Sequence, residues 1–449
     1  MTSTELLPAA PPHRAAARRA LLAGSAGNLV EWYEFGVYGC FATVIAANFF
    51  TPPTGSGTGT GAGSASGVEA LVATYASFAL AFFFRPVGAL LFGRIGDRLG
   101  RRPTLVLVVS LMTLATTLIG LLPTREVIGP AAPWLLTFLR VLQGLSAGGE
   151  FGGAVSLMAE YAPPGRRGLY GAWQSFTVAL GLLAGAGTAA ALATLLPAPA
   201  LYAWGWRIPF LLALPLGLVA LWLRTALEEP PGAAPPTKAP DGARGDQLPP
   251  GDGVQARAVV LGIGRIMGWS AAGYTFLVVL PSHLQATLGA SFRNALLATT
   301  LVNLGFAASI LPAGLLSDRY GRRPVMLGGA LGIAVLAFPL LHLLQSPDAS
   351  PQARAAAVLT AGALVGLLAG PGPAMLAEMF PRRVRCTGLG LAYSLANAVF
   401  SGCAGLVITA LTARTGDTAI PAYYAAGACA ISSLALLTLR GNDHREPLR

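Results

Sequence analysis

The chain is a succession of apolar runs, each long enough to cross a lipid bilayer. About 30 Å of hydrocarbon needs roughly 20 apolar residues in helical form. Runs of that kind fall at about 21–47, 70–92, 104–122, 132–158, 168–195 and 207–225, then at 258–281, 294–316, 324–344, 353–379, 387–412 and 420–439. Twelve spans leave little chain for anything else. Composition agrees, since 54% of residues are hydrophobic and 11% charged, against roughly 25% charged in soluble domains. A water-soluble multidomain fold is excluded, and so is disorder, which needs low hydrophobicity and high charge. The cysteines, Cys40, Cys386, Cys403 and Cys429, lie scattered in or beside apolar segments and form no disulfide framework. The expected fold is an all-α membrane protein with twelve transmembrane helices.

Basic residues orient such a chain, because cytoplasmic loops retain Lys and Arg. Of the 30 basic residues, only Arg125, Arg207, Arg293, Arg354 and Arg414 fall in one set of alternate loops. Arg85, Arg140 and Arg265 lie within spans, and all the others sit in the tails and the opposite loops. Both termini are therefore expected on the cytoplasmic side, and the net charge of +11 reports topology. No basic stripe interleaved with aromatics points to nucleic acid. Arg18 and Arg19 before an apolar stretch resemble a secretory signal, but the stretch runs on through Glu31 and Glu34, so an uncleaved first helix is expected.

The two halves repeat. GRIGDRLGRRP, Gly93 to Pro103, returns as GLLSDRYGRRP, Gly314 to Pro324, with Gly, Asp, Arg, Gly, Arg, Arg and Pro in register. Glu160, Pro163 and Arg167 return as Glu378, Pro381 and Arg385, with Gly168 and Gly388 slightly shifted. A duplicated six-helix unit explains both, and its even number of spans gives both copies the same orientation, with a pathway between them. The expected organisation is a tail at 1–20, a first half at 21–225, a Pro/Gly-rich linker at 226–257, a second half at 258–440 and a tail at 441–449. The Gly/Ser/Thr stretch between the first two spans is expected to be a flexible loop.

These residues resemble the major facilitator superfamily, whose signature loop carries the Gly, Asp, Arg, Gly, Arg, Arg pattern found here twice. GNLVEWYEFGVYG, FFFRPVGALLFGRIGD, RVLQGLSAGGEFGGA and WRIPF are similar to its metabolite:proton symporters. The resemblance covers essentially the whole chain. It implies the major facilitator fold and proton-coupled uptake of a small organic acid or zwitterionic osmolyte by alternating access, in a bacterial cytoplasmic membrane. The driving force would be the proton gradient, with no cofactor or metal, in a monomer whose partners are substrate, protons and lipid. The family mostly has Asp where this chain has Glu34, a departure in the carboxylate's reach. An exporter, a drug or metabolite:proton antiporter, is the alternative within the superfamily.

An ionisable group inside a span costs at least about 2.5 to 3.5 kcal/mol, so each needs a partner or a function. Asn28, Glu31, Glu34 and Tyr38 follow at helical spacing and are expected to line a cavity. Arg140, Gln143, Ala147 and Glu150 form a second stripe, and Arg85 lies deep in the second span. Three carboxylates then face two guanidiniums. A desolvated carboxylate without a full counter-charge binds a proton readily, so Glu31 or Glu34 is the expected coupling site; the alternative is structural Glu–Arg pairing. Protonation would leave positive charge near Arg85 and Arg140 that favours a carboxylate-bearing substrate.

Gln174 joins this set, and Arg265, Trp269, Tyr274, Asn303, Tyr393, Asn397 and Ser401 are the candidates from the second half. Arg265 either binds an anion or snorkels to the interface. The repeated loops, Gly93, Asp97, Arg98, Gly100, Arg101 and Arg102 with Gly314, Asp318, Arg319, Gly321, Arg322 and Arg323, are expected gates. In them a carboxylate pairs with a guanidinium or a helix N-terminus in one conformation and releases in the other. Gly144, Gly148, Gly149, Gly152, Gly153, Gly181 and Gly185 are expected to let helices approach closely. No HExxH, GxSxG, phosphate loop or Cys/His cluster suggests an enzyme.

Overall fold

A computed structural model describes residues 14–51, 65–99, 101–148, 150–225, 256–346, 348–381, 384–440 and 445. Among them the regular structure is helical. The first half holds α1 (Arg14–Cys40), α2 (Ala65–Leu99), α3 (Arg101–Leu121), α4 (Ala131–Ala147), α5 (Glu150–Tyr161), α6 (Arg167–Leu195) and α7 (Arg207–Thr225). The second holds α8 (Ala256–Tyr274), α9 (Phe292–Tyr320), α10 (Arg322–Gln345), α11 (Pro351–Ala369), α12 (Gly372–Met379), α13 (Arg385–Ala396), α14 (Ala404–Thr415) and α15 (Ile420–Leu437). Short π-helical turns at Ala46–Phe50, Leu201–Gly205, Thr275–Val279 and Asn397–Gly402 interrupt or adjoin these helices. Residues 1–13, most of 441–449, most of the 226–257 linker and most of the loop before α2 lie outside the described residues.

Nine helices among the described residues are long and apolar enough to cross a membrane, and a pair bent by 47° at Trp206 makes a tenth. The spans expected at 21–47 and 132–158 are helical but fall outside that set. Asn28, Glu31 and Glu34 interrupt the apolar character of α1, and α4 has only 17 residues before the break near Gly148. The span expected at 353–379 is among the nine, at Pro351–Met379, with a short break in its helix at Gly370–Pro371. Gly148 and Gly149 at the first place weaken the helix through backbone entropy, and Gly370–Pro371–Gly372–Pro373 at the second adds the lost N–H donors of two prolines. Large apolar side chains such as Leu114, Trp222, Val335 and Leu434 stay exposed on the outside of the bundle, as a lipid-facing surface requires.

The two halves are built alike. In the first, α1 packs on α6, α2 on α4 and α3 on α7; in the second, α8 packs on α13, α9 on α11 and α10 on α15. Glycines set the close α2–α4 and α9–α11 approaches. A Cβ at Gly144 would run into the Ala81 carbonyl oxygen and one at Gly148 into that of Arg85. Gly362 and Gly366, again four residues apart, meet the Val302 carbonyl oxygen and the Ser309 hydroxyl in the same way. Gly181 and Gly185 bring α6 against the backbone of α1. Between halves, α6 packs on α9 and α2 on α13, α14 and the turn that joins them, the second contact repeating the first about a pseudo-two-fold axis.

Candidate functional site

Four buried charges meet in the first half. Arg85 Nη2 stands 3.3 Å from Glu31 Oε1, and the guanidinium lies over the rings of Phe82 (4.2 Å), Phe35 (4.6 Å) and Trp32 (5.6 Å). Arg140 lies 3.6 Å over the Tyr38 ring and also against Phe78 and Phe35. Both guanidiniums therefore touch Phe35, with rings supplying the attraction that water would otherwise supply. Glu34, 1% exposed, has no ion pair of that kind among the described contacts. Its Oε2 accepts from Thr116, while Oε1 is buried with no hydrogen-bond partner. Thr116 also receives a hydrogen bond from Gln143 Nε2, and Gln143 Oε1 accepts from Arg140 Nη1 at 2.6 Å.

Several donors here are unused. Arg85 Nε, Arg140 Nε and Nη2, and the Tyr274 hydroxyl are buried without a hydrogen-bond partner, while Arg85 Nη2 has the Glu31 carboxylate at ion-pair distance. Each such group costs roughly 1 to 3 kcal/mol or more, so the cluster is complementary to an acceptor from outside the protein. Tyr274 packs against Trp32, Phe78 and Phe82, so the second half completes the aromatic wall.

Beside this cluster, between the halves, lies a cavity of about 30 Å³ bordered by Trp32, Trp269, Tyr274, Tyr393, Asn397 and Phe306 with aliphatic neighbours. It has room for water but not for an organic substrate. All of its lining residues are neutral. Phe151 of α5 stacks on the outer face of Tyr393, with centroids 3.4 Å apart.

The structure sorts the expected residues. Glu31, Glu34, Tyr38, Arg85, Arg140 and Gln143 converge, and Trp269, Tyr393 and Asn397 line the cavity. The α1 stripe itself does not line that cavity: Asn28 turns to Thr177 and the Gln174 carbonyl on α6, and Tyr38 bonds Ser77. Trp32, on another face of α1, supplies the lining there. Of Gln174, the backbone carbonyl rather than the amide makes that bond to Asn28. Arg265 does not line the cavity; it is 8% exposed and its guanidinium runs to the exposed Thr438 at the end of α15, donating to its hydroxyl at 2.8 Å. The Glu150 side chain lies outside those described. Thr116 and the ring cluster of Phe35, Phe78 and Phe82 were not singled out from sequence. A threonine in an apolar span carries no charge to announce it, and the Phe spacing on α2 reads as ordinary packing.

Side-chain and backbone contacts cross the interface between the halves at both of its ends. At the end with the repeated loops, Asp318 accepts from the backbone N–H of Gly168 (2.6 Å) and Leu169 (2.9 Å), at the N-terminus of α6 in the other half. Arg322 holds Asp318 at 2.8 Å and Glu378 at 2.9 Å, and Arg167 reaches Glu378 at 3.3 Å. Arg385 meets Glu160 across the interface at 3.1 Å. Gly321, at φ 96° and ψ 164°, turns the chain directly from α9 into α10, a conformation open essentially to glycine alone. Arg319 lies exposed over Tyr320, Arg323 is half-buried in the first turn of α10, and Gly314 lies against the Gly168 backbone of α6. Gly93 falls within α2, while Gly100 and the side chains of Asp97, Arg98, Arg101 and Arg102 lie outside those described. At the opposite end, Tyr75 is hydrogen-bonded to Ser282 at 2.7 Å, Thr43 donates to Gln285 at 2.9 Å and Phe41 packs on Phe292. Arg207 of the WRIPF segment caps α3 there, donating to the Gly120 and Leu122 carbonyls.

Comparison with known proteins agrees with this architecture. The family model described as Sugar (and other) transporter matches residues 20–232, and the Major Facilitator Superfamily model matches 260–449. The glycine betaine/proline/ectoine/pipecolic acid transporter OusA of Dickeya dadantii (strain 3937) is 34% identical over 91% of this chain and 80% of its own. The alpha-ketoglutarate permease of Escherichia coli (strain K12) is 36% identical over 89% and 88%, and the citrate-proton symporter of Klebsiella pneumoniae 34% over 90% and 88%. Among solved structures, the proton:xylose symporter XylE bound to 6-bromo-6-deoxy-D-glucose superposes with a TM-score of 0.73 at 20% identity, covering 94% of this chain and 95% of that one. That likeness is one of fold.

Proposed function

Because the chain belongs to the major facilitator superfamily, among its metabolite:proton symporters, we propose that it takes up a small zwitterion, a carboxylate joined to an ammonium group, together with protons. It is a multi-pass membrane transporter and not an enzyme. The observation that carries the substrate reading is the set of unused buried donors on Arg85, Arg140 and Tyr274 beside a neutral, aromatic cavity. A carboxylate satisfies the guanidinium N–H groups, which suit its paired oxygens. The faces of Trp32, Trp269, Tyr274 and Tyr393 suit an ammonium, by cation–π attraction. The cavity lining holds no cation for a further carboxylate, whereas its aromatic faces suit an ammonium, which favours a zwitterion over a dicarboxylate or tricarboxylate.

In this reading Glu31 serves as counter-charge to Arg85, and Glu34, whose Oε1 has no partner, carries the proton. Protonating Glu34 leaves Arg140 with unbalanced positive charge, so proton and substrate carboxylate favour each other's binding. Contacts across both ends of the interface support reading this conformation as one that lies between the two open ones of alternating access. The contacts of Asp318, Arg322, Glu378 and Arg167 form the gate on the cytoplasmic side, with twelve spans, both termini and the 226–257 linker oriented accordingly. The protein works as a monomer in a bacterial cytoplasmic membrane, driven by the proton gradient without a cofactor.

Purified protein in liposomes, given an inward proton gradient, tests this. Labelled glycine betaine or proline is expected to accumulate, an uncoupler to abolish the accumulation, and 2-oxoglutarate and citrate not to compete. Accumulation of either acid in place of the zwitterions overturns the substrate class, and uptake that survives the uncoupler overturns the coupling.

A further inference from the structure

Glu34 is wired to Arg140 through two neutral side chains. Arg140 Nη1 donates to Gln143 Oε1, which fixes the orientation of that amide and turns its N–H toward Thr116 Oγ1. Thr116 therefore has one proton to give and two acceptors in reach: Glu34 Oε2 and the Met112 carbonyl oxygen at 3.0 Å. The hydroxyl has two settings. With Glu34 ionised, the three bonds run in one direction, Arg140 to Gln143 to Thr116 to the carboxylate, and reinforce one another. With Glu34 protonated, its O–H donates to Thr116 Oγ1 and the Thr116 proton turns to Met112. Thr116 then accepts from both Glu34 and Gln143, and the chain loses its anionic end.

We propose that Thr116 and Gln143 are positioning residues for coupling, a hydrogen-bond relay that converts the protonation of Glu34 into a looser hold on Arg140. The loosened guanidinium can then turn its donors to the substrate. The inference rests on the reading of Glu34 as the proton site. Charged and titratable groups also act on this point. Glu31, Tyr33 and Arg140 interact electrostatically with Glu34, and Arg85, Tyr38 and Tyr274 with Arg140. From α3 the group that faces Glu34 is the neutral Thr116. The relay is thus the part of the site that can be altered without changing its charge.

Infrared spectroscopy of the full-length protein in lipid tests the relay without needing a substrate. The carbonyl band of protonated Glu34 is identified as the one missing from Glu34→Gln, and is followed against pH. Removing a hydrogen bond to an ionised carboxylate moves such a titration by about one pH unit. In Thr116→Val the pH at which the band is half formed is expected to move that far toward alkaline. Thr116→Ser should restore the wild-type position. Thr117→Val, which removes a hydroxyl bonded only to the Thr113 carbonyl, should leave it in place. If Thr116→Val does not fold, Thr116→Ala supplies the same reading. An unmoved band in the hydroxyl-less variant overturns the relay while leaving Glu34 as the proton site. The absence of any titrating band that Glu34→Gln removes overturns the proton site itself.

Discussion

Glu31 and Glu34 sit three residues apart on one helix, and their surroundings give them different work. Glu31 faces the Arg85 guanidinium, whereas Glu34 meets only a hydroxyl at one oxygen and nothing at the other. Their neutral replacements should therefore fail differently. Glu34→Gln is expected to abolish uphill, gradient-driven uptake in liposomes while leaving substrate counterflow, which needs no net proton movement, within a few-fold of wild type. Glu31→Gln instead leaves Arg85 buried without its counter-charge, a loss of about 3 to 5 kcal/mol when one partner of a buried pair is removed. Its expected signature is a clear drop in unfolding temperature together with lost transport. Equal thermal stability of the two variants would contradict this division.

At the scale of the helix, glycine decides how closely spans approach. Gly144 faces the Ala81 backbone so closely that no side chain fits, whereas Gly328 on α10 has no neighbour within 4 Å of an added Cβ. Gly144→Val should therefore force α4 from α2, destabilising the protein by at least about 1 to 3 kcal/mol. Gly328→Ala should be neutral or stabilising by up to about 1 kcal/mol, since alanine loses less backbone entropy in a helix. Thermal unfolding in detergent separates the two. The same scale holds what the apolar pattern concealed. The run at 132–158 reads as a single span yet breaks near Gly148, and the span at 353–379 is one crossing whose helix is interrupted at Gly370–Pro371. Hydropathy is blind to such a break, because glycine and proline interrupt the backbone without interrupting the apolar run.

At the scale of the molecule, the two halves are held together at both ends, and the loop end is held by charge. Glu378 gathers Arg322 of its own half and Arg167 of the other. Glu378→Gln keeps the shape of the side chain but removes the charge that both arginines share. It is expected to shift the population toward opening at that end, seen as a longer distance between spin labels on α5 and α13. Initial uptake should fall, with leak of preloaded substrate rising. An unchanged distance distribution would show that the closure does not depend on this cluster. Symmetry supplies the comparison, since Glu160 repeats Glu378 and meets Arg385 across the same interface.

The sequence by itself determined the membrane setting, the helical class, the duplicated unit and the short set of charges that a bilayer does not tolerate without a reason. Those properties are local: apolar run length, loop charge and repeated motifs are read from neighbours in the chain, as are the convergent residues Glu31, Glu34, Arg85 and Arg140. The tertiary structure decided which carboxylate has a partner, because the partners come from other helices. Thr116 lies 82 residues from Glu34, and Tyr274 and Tyr393 reach the centre from the second half. It also decided that Asn28 serves α6 and that Trp32 borders the cavity. A helical stripe fixes which residues point the same way, whereas only the packing of two halves fixes what they point at.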